Sequence, residues 1–147
     1  MPYTLELAGA VLGDDDVDTS AITVRAKKLQ KRASSAVTAT TGGGTTGLIP
    51  AGVSFVTVTS DSADKQISLP AGTVGDRILV LIGATGCELI AVTAADKVNN
   101  VTVGATNEAA LTATSLYDCH YVATNTWVVI GYTNLGAVQA ALVPDLL

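Results

Sequence analysis

The stretch Arg77–Val92, RILVLIGATGCELIAV, constrains this chain more than any other. Two apolar runs, 78–82 and 87–92, flank Gly83-Ala84-Thr85-Gly86. Both are strand length, rich in β-branched and aliphatic residues, and bounded by glycine. The pattern predicts a β-hairpin closed by a four-residue loop. The first run is apolar at every position, so both of its faces need cover. A central strand between two layers, or a strand at a subunit interface, meets that need.

Turn signals recur through the rest of the body, residues 48–133. Strands are predicted at 53–59, with Val53, Phe55 and Thr57 on one face, and at 66–69, stopped by Pro70-Ala71-Gly72. Weaker strands follow at 98–103 and 109–114. At 116–122 the sequence alternates, with Leu116, Asp118, His120 and Val122 on one side and Tyr117, Cys119 and Tyr121 on the other. Trp127–Tyr132, WVVIGY, is the last strong strand. About eight short strands at regular turn spacing read as an all-β fold, a single β-sandwich or barrel.

Residues 1–47 read as an extended N-terminal arm and a Gly-rich linker. The arm holds an acidic cluster, Asp14, Asp15, Asp16 and Asp18. Five of the chain's eight basic residues follow: Arg25, Lys27, Lys28, Lys31 and Arg32. Ile22, Ala26, Leu29 and Ala33 share a helical face behind a Ser20 N-cap, while Ile22 and Val24 also alternate like the start of a strand. Residues 34–47, SSAVTATTGGGTTG, are small, polar and Gly-rich, the composition of a linker. At the other end, the nearly uncharged tail 134–147 is expected to pack on the body or on a neighbour, with a helical turn at 137–142.

Composition bears on partners. Apolar residues make up 48% of the chain, aromatic residues only 4% and charged residues 14%. Small side chains let backbones approach closely, which suits thin sandwiches and interlocked oligomers. So little charge implies that other chains cover some apolar surface. The net charge of −5 disfavours nucleic acid. The first residues lack a basic segment followed by an apolar one, so no signal peptide is expected. No apolar run reaches the ~18 residues of a membrane helix.

No residue cluster reads as a catalytic centre. Cys119 and His120 are adjacent in a predicted strand, so their side chains diverge, and a dyad between them is geometrically poor. Cys119 reads as a small buried hydrophobe, and both Cys87 and Cys119 as free thiols. Neither metal nor cofactor is expected. The Asp14–Asp18 cluster lacks the glycine and terminal glutamate of a calcium-binding EF-hand loop, and the Gly42–Gly47 run lacks the lysine of a phosphate-binding loop. Both charge clusters of the arm read instead as solvated surface, a turn and a helix face, or as partner contacts, and partner contacts are the expectation carried forward. Trp127 reads as a plug of the core.

The strand at Val53, the I-x-L-P stop at Ile67–Pro70, the G-x-x-I start at Gly75–Ile78 and the closing hairpin at Asn125–Tyr132 form a pattern. It resembles the small β domains of tailed-bacteriophage virion proteins, capsid decoration (cement) proteins and trimeric tail-fibre or spike modules among them. The resemblance implies a structural protein without enzymatic activity, commonly a homotrimer. A decoration protein would be made in the host cytoplasm, trimerise on the capsid surface against the major capsid protein, and stabilise the shell. A fibre or spike module would instead bind host glycan, and would need exposed aromatics near Trp127, Tyr117 or Tyr121.

Overall fold

The computed structural model describes residues 34–42, 47–103 and 107–146 of the 147-residue chain. Every described residue belongs to one compact unit, Lys31–Leu147. The described residues form an all-β structure of two sheets, as a β-sandwich has. The strands are β1 (Ser34–Thr38), β2 (Phe55–Thr59), β3 (Gln66–Leu69), β4 (Arg77–Ile82), β5 (Cys87–Ala91), β6 (Lys97–Val98), β7 (Val101–Thr102), β8 (Asn107–Leu111), β9 (Leu116–Ala123), β10 (Thr126–Tyr132) and β11 (Asp145–Leu146). Seven of them form one sheet in the order β1-β2-β4-β9-β10-β6-β7, and four form the other, β11-β8-β5-β3.

The predicted hairpin at 77–92 is not formed. β4 belongs to the seven-stranded sheet and β5 to the four-stranded one, so Gly83–Gly86 carries the chain across the sandwich as an arch. The whole first half winds this way. β1, β2 and β4 run parallel in one sheet, with Ser34 opposite Phe55 and Phe55 opposite Leu79. β3 and β5 run parallel in the other, and Leu48 bridges Ser68 beside them, also parallel. Each turn of the winding thus lays one strand on each sheet. Parallel neighbours need such crossovers, because a tight loop joins only antiparallel strands. Gly86 is fixed by the arch: a Cβ there would meet the Leu111 carbonyl oxygen at 2.5 Å.

β1 also revises the linker expected at 34–47. Its five residues pair with β2, and Val37 and Ala39 are buried. The Thr/Ser/Ala composition that suggests a linker is equally that of a strand with one small-residue face.

After β5 the pairing turns antiparallel. The strand expected at 98–103 is instead a tight hairpin, β6–β7, turning at Asn99 and Asn100, both at positive φ. Asparagine tolerates that conformation, which two-residue hairpin turns require. β9 and β10 form the closing hairpin, with a register shift at Thr126/Trp127. Beyond β10 the tail is extended and not helical. Val138 bridges Tyr132, the Gln139 N–H donates to Gly131 O, and Asp145–Leu146 pairs with β8 in the other sheet. The tail therefore straps the two sheets together.

The core lies between the sheets. Val56, Val58, Ile78, Val80, Ile82, Tyr117, Cys119 and Val129 face inward from the large sheet, and Ile67, Leu69, Leu89 and Leu111 from the small one. In β2 it is therefore Val56 and Val58 that point in, while Phe55 and Thr57 point out. Trp127 is fully buried and meets Tyr121 edge-on at 5.0 Å. Its Nε1 faces the buried Asp96 carboxylate, but none of these three polar atoms makes a hydrogen bond of normal geometry. Burial raises the Asp96 carboxyl above its ordinary value, and the indole proton only partly opposes that.

Candidate assembly face

The outward side of the seven-stranded sheet carries the most distinctive surface of the described residues. Because strand side chains alternate, the residues between the core positions of β2, β4, β9 and β10 all point away from the core. Pairing registers arrange them in rows. One row runs Thr57, Leu81, Leu116, Tyr132 and Val138. The next runs Phe55, Leu79, Asp118 and Ile130. A third holds Arg77, His120 and Val128.

Most of these positions are apolar, and several are open to solvent: Leu81 is 40% exposed, Ile130 38% and Val138 67%. Such a face on a single chain is incompletely covered. The uninterrupted apolar run of β4 acquires its meaning here. Ile78, Val80 and Ile82 fill the core, while Leu79 is half-buried and Leu81 exposed. The cover expected for the second face of that strand does not come from the described residues.

One ion cluster sits among the apolar rows. Arg77 donates from Nε to Asp118 Oδ1 at 2.8 Å and from a terminal nitrogen to Oδ2 at 2.7 Å, a bidentate contact. His120 Nε2 lies 2.9 Å from Asp118 Oδ1. The register places Arg77 directly opposite His120, with Asp118 two residues before it on β9, so three side chains from two neighbouring strands converge. The Arg77 hydrogen bonds hold the Asp118 carboxyl below its ordinary value, against the effect of burial, with His120 assisting.

The outward side of the small sheet differs. Glu88 and Glu108 lie half-buried there, near Asp145 and Asp64, and Glu88 Oε2 is buried without a hydrogen-bond partner. Burial, then the charges of Glu108, Asp145 and Asp64, push the Glu88 carboxyl up to about 7. Gln66 Nε2 donates to Glu108.

The nine residues expected from the sequence to contact partners, Asp14, Asp15, Asp16, Asp18, Arg25, Lys27, Lys28, Lys31 and Arg32, lie outside the described residues. Cys119 points into the core and His120 out of it, so the expected divergence holds. Both thiols are free and buried, and burial pushes Cys87 up to about 12 and Cys119 higher still. Trp127, Tyr117 and Tyr121 are all buried, so the aromatic platform that glycan stacking requires is not formed at these positions. Among the described residues, no group of three or more His, Cys, Asp and Glu is placed to hold a metal ion.

Arg77 and Asp118 did not emerge as site residues from the sequence. A carboxylate among Leu116, His120 and Val122 on one side of an alternating strand was the available signal. Its partner was hidden, because the pairing of β4 with β9 is long-range. No protein-family model, curated protein or solved structure matches the chain.

Proposed function

We propose that the chain is a non-enzymatic structural subunit of a virion, a capsid decoration protein that assembles as a homotrimer on the capsid surface. The observation that supports this reading is the outward apolar face of the seven-stranded sheet, which has the composition of a subunit contact on a chain whose own core is already closed. A decoration protein acts by linkage: a ligand that binds only the assembled lattice stabilises it. Several copies held together make each weak contact with the major capsid protein count more than once. The charged segments 14–18 and 25–32 supply contacts to the shell in this reading.

Quantitative mass spectrometry of purified particles of the encoding virus tests it. The ratio of this chain to the major capsid protein is expected to be near-stoichiometric, on the order of hundreds of copies, as a symmetric shell demands. A handful of copies, or none, would overturn the decoration reading.

A further inference from the structure

We infer that the outward face of the seven-stranded sheet is where one copy of this chain packs on another. The inference deepens the decoration reading by naming the partner of the face, and its physical basis is the distribution of charge.

Residues 34–147 hold eight acidic and three basic residues. Two such bodies repel each other over most of their surface. On the outer side of the small sheet, Glu88 and Glu108 are half-buried carboxylates with no basic residue in either strand, so a second copy there would bury acidic groups without counter-charge. Across the rows of the large sheet the balance is different. Asp118 is the single carboxylate there, and Arg77 neutralises it through two hydrogen bonds. Apolar contact is largest and like-charge repulsion smallest at the same place. Two copies of the chain therefore meet most favourably through this face.

The pairing within the cluster also lowers the cost of covering it. Both oxygens of Asp118 accept hydrogen bonds from Arg77, and His120 lies against one of them. A second copy laid over the face strands no carboxylate, which is the condition for covering an ion pair without a large penalty. A highly charged partner would find no unmatched counter-charge among these rows. A copy of the same face finds apolar side chains and a neutralised cluster like its own.

The test is the mass of the full chain in solution by sedimentation and light scattering, across a concentration series. Leu81→Lys and Ile130→Lys place charge within the apolar rows of the face at side chains already in contact with water, so the fold is retained, and circular dichroism checks that. Leu135→Lys, at a side chain 90% exposed in the turn after β10, is the control. The wild type and L135K are expected to sediment as assemblies, and L81K and I130K as folded single chains of 14.8 kDa. A wild type that stays monomeric throughout, or face variants that remain assembled, would overturn the inference. Particle copy number is a separate readout. An assembly lost in L81K but absent from particles would leave the inference standing and remove the decoration reading.

Discussion

At the residue scale, three side chains control how the described body responds to pH and to mutation. Glu88 has its carboxyl raised to about 7, first by burial and then by its acidic neighbours. A raised folded value means that the protonated form stabilises the fold. That contribution is complete below the ordinary carboxylate range and disappears as pH rises through about 7. Glu88→Gln is therefore expected to melt higher than the wild type at pH 8, by on the order of a few degrees. At pH 4 the two should converge, and thermal melts at the two pH values check this. Asp118 titrates in the opposite sense. Its carboxyl is lowered by Arg77, so its contribution is present above the ordinary value of 3.8 and is lost as pH falls through the lower folded value. Asp118→Asn should lower the melting temperature at neutral pH, with the deficit shrinking in strong acid. Trp127→Ala removes the largest fully buried side chain, and denaturant unfolding should show a loss of about 3–5 kcal/mol.

At the scale of elements, the β6–β7 turn joins the last strand pairs to the tail. The Asn99 N–H donates to the Trp127 carbonyl of β10, and the Asn99 side chain continues the ladder. Oδ1 accepts the Val129 N–H, and Nδ2 donates to the carbonyls of Val129 and Leu142, each at 2.9 Å. Asn99→Ala removes all three contacts and leaves a part-buried N–H without its acceptor, at a cost of about 2–3 kcal/mol. Hydrogen exchange should report the loss locally, as faster exchange at Val129 and through residues 139–146. Exchange that rises uniformly along the chain would mean that the turn does not hold the tail. The same elements show what the sequence could disclose. Alternation at Leu116–Val122 placed each side chain of β9 on its correct side, and turn spacing placed most strands. The reversal at Gly83–Gly86 was also visible, but not its geometry. A glycine-bounded reversal looks the same whether the flanking strands pair in one sheet or separate into two. The choice is made by distant groups, including the Val58 carbonyl that accepts the Gly83 N–H and the Leu111 carbonyl packed on Gly86. Parallel pairing of β1, β2 and β4 was hidden for the same reason. In the tail, the run at Ala137–Leu142 suited a helix, yet pairing at Val138 and Gln139 with the end of β10 holds it extended.

At the scale of the whole molecule, the two outer faces of the sandwich have different chemistry. One carries Glu88, a carboxylate whose burial, with acidic neighbours assisting, raises it to about 7. The other is apolar around a neutralised ion cluster. The apolar face was half legible in the sequence: the unbroken run of β4 pointed to a strand covered on both sides, while its neighbours across the sheet emerged only from the registers. Coverage of this face by a second copy can be read directly by thiol labelling. Cys87 and Cys119 are buried and hold their protons tightly, so they are nearly silent towards a thiol reagent at neutral pH. Leu81→Cys introduces a reactive thiol within the face, and Leu135→Cys one outside it. As chain concentration rises, the labelling rate of L81C is expected to fall several-fold while that of L135C stays constant. Equal and concentration-independent rates for the two variants would contradict assembly through the seven-stranded sheet.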